Sequence, residues 1–154
     1  MTVVLVPVSV EQLDSLRRSA LPGPVTGFAV TAALRDTFGL DVADDEEADR
    51  TALLLAGLKA LMSYGRRLAV VIETAAVDDG DPLGEVTIPS VSWKDVSAIF
   101  ADTAHAAKAA SATVDAVAGL DLDAAWDTDA AHALMTEHDL LWYGPEEVDA
   151  LVRA

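Results

Sequence analysis

The strongest structural signal in this 154-residue chain lies between Asp44 and Gly65. The segment opens with the acidic run DDEE, and such carboxylates stabilise the positive end of a helix dipole. Leucine and alanine then recur on more than one face of a helix, and Gly65 is a suitable stop. The sequence therefore predicts a long helix here, more buried than the other helices. An acidic calcium loop is the alternative, but its alternating oxygen ligands and central glycine are missing.

Charge and composition exclude several classes of protein. The 26 acidic and 10 basic residues give a formal net charge of −16, and a surface this negative repels the phosphate backbone of DNA and RNA. Residues 68–72 form one of the longest apolar runs, and this run is far shorter than the about 20 residues that a membrane-spanning helix needs. The chain has no cysteine, which excludes disulfides and thiolate nucleophiles. We therefore expect a cytoplasmic protein that binds neither nucleic acid nor membranes.

Strand patterns and helix signals alternate along the chain. Residues 2–8 form a β-branched run, which is typical of a buried strand rather than of a signal peptide because no basic region precedes it. Ser9 and Gln12 then form a capping box that begins a helix. The sequence LPGP at residues 21–24 has the composition of a turn.

Further helices are predicted between Thr31 and Gly39, after an Asp102 cap, and from Ala124 to about Thr136. These elements predict one domain over residues 1–154, of the α/β (α+β) class. We expect a sandwich of about five to six strands in a mixed sheet, with helices packed on it. The pattern does not define a strand order.

Three segments share a pattern of a strand end, a cap or turn residue, two polar residues and an apolar one. They are VSVEQLDSL at 8–16, VSWKDVSAI at 91–99 and YGPEEVDAL at 143–151. Their alignment defines two shared core positions, occupied by Leu13, Val96 and Val148 and by Leu16, Ile99 and Leu151. The segments are either ordinary strand-to-helix junctions or signs of internal pseudo-symmetry, with all three junctions at the same end of the sheet.

The sequence contains no catalytic or cofactor motif. It has no GxxxxGK[ST] or GxGxxG phosphate loop, no GxSxG nucleophile elbow and no HExxH zinc motif. His105, His132 and His138 have no histidine partner three or four residues away, so each is interpreted as structural or solvated. We therefore predict no catalytic residue, no metal ligand and no cofactor.

The best functional candidate is the triplet Glu137-His138-Asp139, which precedes the predicted strand LLWY. A carboxylate beside an imidazole can tune a general base or orient a metal ligand. The same triplet is also typical of a helix C-terminus, and we favour that interpretation because a histidine suits the negative end of the helix dipole.

Trp142 and Tyr143 should point to opposite faces of their strand, and buried packing is expected for both. The adjacent residues Arg66 and Arg67 are expected to be solvated at a strand start. If a ligand pocket exists, its candidate residues are Glu137, His138, Trp142 and Tyr143, together with Arg35 or Arg67.

Five segments resemble, in the same order, an uncharacterised actinobacterial family of domain-of-unknown-function proteins. They are VPVSVEQLDSL, GFAVTAALR, EEADRTALLLA, RRLAVVIE and EHDLLWYGPEEV. The resemblance covers most of the chain, and the LLWY strand followed by an acidic helix is its most specific part. It implies a small cytoplasmic α/β domain and carries over no activity and no functional residue.

Three functions are consistent with these patterns. The leading hypothesis is a non-catalytic binding or scaffolding domain that acts through protein contacts with a partner or as a homo-oligomer. The second is a small enzyme or ligand-binding protein with a pocket near Glu137, His138 and an arginine. The third is an acidic regulator of a basic partner, which predicts carboxylates concentrated on one face.

Overall fold

The chain alternates between strands and helices along most of its length. A computed structural model describes residues 1–75, 77–78 and 80–153, and these residues contain six strands and seven helices. The strands are β1 (Thr2–Pro7), β2 (Ala20–Phe28), β3 (Leu68–Thr74), β4 (Glu85–Ser92), β5 (Val96–Ala101) and β6 (Leu141–Tyr143). The helices are α1 (Val10–Arg18), α2 (Ala32–Phe38), α3 (Asp45–Tyr64), α4 (Ala107–Val117), α5 (Leu122–Trp126), α6 (Asp129–Glu137) and α7 (Val148–Arg153).

The six strands form one sheet in the order β4-β2-β1-β3-β5-β6. This confirms the α/β class and the expected number of strands. Every pairing is antiparallel, so the expectation of mixed strand directions is corrected. Strands buried on both faces usually belong to parallel sheets, whereas here helices cover both faces of an antiparallel sheet. The apolar runs of β1 and β3 therefore did not reveal the strand direction.

Alternation along β1 separates the two faces of the sheet. Val4 and Val6 belong to a core cluster that contains residues of α1 and α7, whereas Leu5 belongs to a second cluster with α2 and α3. The far side of α3 packs through Leu58 and Leu61 against α4, α5 and α6. Because α3 lies between the sheet and a second layer of helices, its apolar residues occupy more than one face, as predicted.

Capping residues and glycines mark several helix ends in the sequence, and these ends lie at the predicted positions. Thr31 caps α2, and Gly39 ends it in the left-handed conformation with φ of 66°. Gly65, with φ of 82°, ends α3 in the same way. The acidic run supplies the first turn of α3, which confirms its interpretation as a helix start.

The three repeated segments contribute to one core cluster. Their six aligned apolar positions are all buried there: Leu13, Val96, Val148, Leu16, Ile99 and Leu151. However, the segment at 91–99 forms a short 3₁₀ turn followed by β5, not a helix. The successive antiparallel pairings also make β6 run opposite to β1. The register nevertheless places Tyr143 in line with Ile99, Val70 and Val6, so the junctions after β1 and β6 lie near the same end of the sheet although the chain reaches them from opposite directions. The shared pattern therefore reports burial, not a repeated unit.

Two local predictions were wrong. Residues 21–24 do not form a turn but lie within β2, where the pairing with β4 is irregular between Pro22 and Val25. The helix predicted from Ala124 to Thr136 is two helices, α5 capped by Asp121 and α6 capped by Thr128. In both places the local composition did not determine the structure, because the backbone path depends on the neighbouring elements.

The capping box at the start of α1 permits a first test. The Ser9 hydroxyl accepts a hydrogen bond from the Gln12 backbone N–H at 3.0 Å, and the Gln12 side chain accepts one from the Ser9 backbone N–H at 2.9 Å. Ser9→Ala removes the first bond and is expected to lower the free energy of unfolding by about 1 kcal/mol. The melting temperature followed by circular dichroism should fall by about 2–4 °C. Ser9→Asp retains an acceptor and should melt near the wild type; equal losses in both variants would contradict the capping role.

Candidate functional site

A buried ion pair joins the start of β3 to the end of β5. Arg67 is 1% exposed, and its Nε and Nη2 atoms donate to Asp102 Oδ1 at 2.9 and 2.6 Å. The Arg67 backbone N–H donates to Asp102 Oδ2 at 3.2 Å. Asp102 therefore does not act as a cap; Thr103 caps the 3₁₀ turn Ala104–Ala106 that leads into α4 by accepting from the Ala106 N–H. The predicted Asp102 cap and the predicted solvation of Arg67 were both wrong.

The same guanidinium group reaches the connection between α6 and β6. Arg67 Nη2 donates to the His138 carbonyl oxygen at 2.7 Å, while Nη1 has no hydrogen-bond partner among the described residues. The structure thus brings Arg67 and His138 together, but through a backbone atom of His138. This contact holds the α6–β6 connection against β3 and does not present the guanidinium to solvent.

The Glu137-His138-Asp139 triplet ends α6, as favoured. The His138 N–H donates to the Leu134 carbonyl oxygen at 3.0 Å, which makes His138 the C-cap residue. The His138 ring lies 5.6 Å from the ring of His105, measured between centroids, a proximity that the spacing of the histidines did not indicate. Glu137 is exposed. Within residues 1–75, 77–78 and 80–153, no three His, Asp or Glu side chains are close enough to hold a metal ion.

Arg35 lies apart from this triplet. It donates to Asp45 Oδ1 at 2.5 Å and to the Asp41 carbonyl oxygen at 2.6 Å, and so links α2 to the start of α3. The candidate ligand-binding residues therefore do not converge on a single pocket: Arg67 is enclosed, Glu137 faces solvent and Arg35 lies beside α3.

Trp142 and Tyr143 point to opposite faces of β6, as predicted. Tyr143 packs against the core cluster of α1 and α7. Trp142 is 59% exposed, so the expectation of buried packing was wrong for this residue. The cause is the strand order, because β6 is the last strand of the sheet and α3 packs on β1, β2 and β3.

An open groove continues from Trp142 across the sheet on the side of α3. It has a volume of about 680 Å³, and its floor includes Val3, Val71 and Phe100. Trp142 is the cross-strand partner of Phe100 and extends this surface to the sheet edge. We call these four residues the apolar strip. Sequence reasoning missed it because the periodicity of residues 2–8 does not show that α3 leaves Val3 49% exposed.

Charged residues border the apolar strip. Arg35, Asp49 and Arg50 line the groove, and Arg50 lies 3.9 Å from Asp139 in a pair of exposed side chains. An exposed pair at this separation contributes little to stability. The strip is thus an apolar surface with a charged rim, and it has the character of a contact surface.

One protein-family model matches residues 2–152 and so covers nearly the whole chain. The chain belongs to DUF6912, a family of unknown function. This confirms the predicted resemblance to a family without an assigned activity. No curated protein and no solved structure matches the chain. In the described part of this DUF6912 chain, no helix combines the length and apolar character that a membrane crossing requires.

Proposed function

We propose that this DUF6912 chain is a cytoplasmic, non-catalytic protein-binding domain. Its contact surface is the apolar strip, and the occupant is an extended segment of a basic partner protein that alternates apolar with Lys or Arg residues. The observation that carries the proposal is the 59% exposure of Trp142 beside the partly exposed Phe100. Exposed tryptophan next to an apolar groove is a frequent anchor of protein interfaces.

The edge of the sheet supports an extended occupant. The outer edge of β6 has no strand partner among the described residues, so its backbone groups are available to an added strand. The opposite edge strand, β4, contains Pro89, which lacks an N–H and is a typical protection against strand addition. Because β6 spans only Leu141–Tyr143, backbone pairing is short, and the side chains on the strip must supply much of the affinity.

Charge favours a basic occupant. Four exposed carboxylates flank β6 in the sequence, and the chain as a whole carries −16; the four are Glu137, Asp139, Glu146 and Glu147. Such a field accelerates association with a positive partner and weakens as salt increases. Two copies of this chain repel each other through the same field, which disfavours a homo-oligomer across β6.

The role of Trp142 in binding a basic peptide can be tested with a defined probe. The probe is a fluorescent six-residue peptide that alternates Lys or Arg with Val, and binding is followed by anisotropy. Trp142→Ala is expected to weaken binding by about 2 kcal/mol, roughly thirtyfold, because a central anchor is removed. Leu120→Ala is the matched control, since Leu120 is also an exposed apolar residue but lies in the turn after α4.

Further measurements distinguish a basic partner from the other possible occupants of the strip. The same peptide with Glu in place of Lys and Arg should not bind, and added salt should weaken binding of the basic peptide. Equal affinities for Trp142→Ala and Leu120→Ala would refute the strip as the contact surface. A concentration-dependent mass that disappears in Trp142→Ala would identify a second copy as the occupant and overturn the basic partner.

The ligand pocket near Glu137 and His138 stays a prediction. The closest support for it is the 5.6 Å separation of the His105 and His138 rings. The arginine that reaches His138 is already bound to Asp102, so this region offers a small ligand fewer free polar groups than the strip offers a peptide.

A further inference from the structure

A second concavity lies between the end of α3, the start of α4, β6 and α7. Its volume is about 390 Å³, within the range of about 300–1,000 Å³ that is usual for small-molecule sites. Ala107 and Ala110 lie one helical turn apart on α4 and line the cavity, as does Ala150 of α7. The space exists because these side chains end at Cβ.

Three polar side chains in this cavity have no partner within the described protein. Arg66 forms no salt bridge among the described residues, although its neighbour Arg67 is paired with Asp102. The hydroxyl groups of Tyr143 and Ser111 also line the cavity and form no hydrogen bond with a described protein group. In a chain with 26 acidic and 10 basic residues, a partly buried arginine without a carboxylate partner is unusual.

The carboxylate that lines the cavity does not cancel the charge of Arg66. Asp102 is the one acidic residue among the described lining residues, and Arg67 occupies both of its oxygen atoms. Its negative charge is therefore balanced inside the protein. The cavity lining therefore contains one guanidinium group without an acidic partner among the described residues, together with the hydroxyl-bearing residues Ser111 and Tyr143.

We infer that this cavity binds a small apolar monocarboxylate, with the carboxylate on Arg66 and the apolar body against the alanines of α4 and Leu151 of α7. A guanidinium group matches a carboxylate through two parallel hydrogen bonds. A single arginine balances one negative charge, and the net charge of −16 disfavours more highly charged anions. The carboxylate can belong to a free acid or to the C-terminus of a peptide. This site is separate from the apolar strip and does not depend on the proposed function.

The test is an NMR titration of the full chain labelled with ¹⁵N. The probes are 3-phenylpropionate, 4-methylpentanoate, their uncharged amides, and one apolar tripeptide with a free or an amidated C-terminus. Saturable shifts are expected at the amides of Gly65, Ser111 and Tyr143 with a carboxylate probe and not with its amide. Binding by the free acids alone or by the tripeptide alone identifies the source of the carboxylate.

Two variants and one control assign the binding to this cavity. Arg66→Gln is expected to raise the dissociation constant roughly ten- to a hundredfold because a charged hydrogen-bonded pair is lost. Ala107→Leu keeps the charge but fills the cavity, and it should abolish the shifts. Lys108→Gln makes the same charge change at an exposed position of α4 outside the cavity and should bind as the wild type does.

The proposal is overturned by any of three results. These are equal binding of carboxylates and amides, equal effects of Arg66→Gln and Lys108→Gln, and no saturable shift with any probe. The apolar strip is tested by a different probe and by Trp142→Ala, so the failure of one site does not imply the failure of the other.

Discussion

Arg67→Leu is expected to lower the free energy of unfolding by about 3–5 kcal/mol. The substitution leaves the Asp102 carboxylate, only 7% exposed, without a compensating charge, and it also removes the bond to the His138 carbonyl oxygen. A loss of this size is a large part of the about 5–15 kcal/mol that stabilises a typical domain. Urea unfolding followed by circular dichroism should show a much lower midpoint with a similar slope.

The neighbouring arginine provides the control for this prediction. Arg66→Leu removes the same group from a partly exposed residue without an ion pair in the described chain, and its effect should stay within about 0.5 kcal/mol. The double variant Arg67→Met with Asp102→Leu should be more stable than either single variant, because it removes both buried charges together. If Arg67→Leu and Arg66→Leu destabilise equally, the buried pair does not hold these strands together.

Gly23→Ala is expected to destabilise the chain by about 4 kcal/mol or more, or to prevent folding. A Cβ atom at Gly23 would overlap with the backbone carbonyl group of Pro89 and would lie 3.0 Å from the Ile88 oxygen. These are backbone atoms of the paired strand β4, so they cannot rotate away as a side chain would. The strands β2 and β4 would have to separate at this point.

Gly80→Ala is the matched control for this substitution. Among the described residues that are not its direct neighbours, none has a heavy atom within 4 Å of a Cβ added at the exposed residue Gly80. The same change there should be neutral or should stabilise the chain by up to about 1 kcal/mol, because alanine restricts the unfolded state. Thermal melting compares the two; a Gly23→Ala protein that melts with the wild type would show that β2 and β4 do not approach so closely.

The candidate site was predicted only in part. Adjacent positions on a strand point to opposite faces, and this rule alone separated Trp142 from Tyr143. The cap role of His138 also followed from its position at a helix end. The exposure of Trp142 did not follow, because it depends on β6 being the last strand of the sheet. The cavity beside Arg66 is formed by α3, α4, β6 and α7, which no short pattern connects.

The sequence by itself determined where several helices begin and end, because residues close in the sequence decide these positions. Ser9 and Gln12 begin α1, Thr31 and Gly39 bound α2, and Gly65 ends α3, because caps act over three or four residues. Only the tertiary structure decided that Arg67 pairs with a carboxylate 35 residues away, and that a Pro-Gly segment continues as a strand. The physical reason is range: a cap bonds within its own turn, whereas ion pairs and strand pairings depend on groups that only the folded chain brings together.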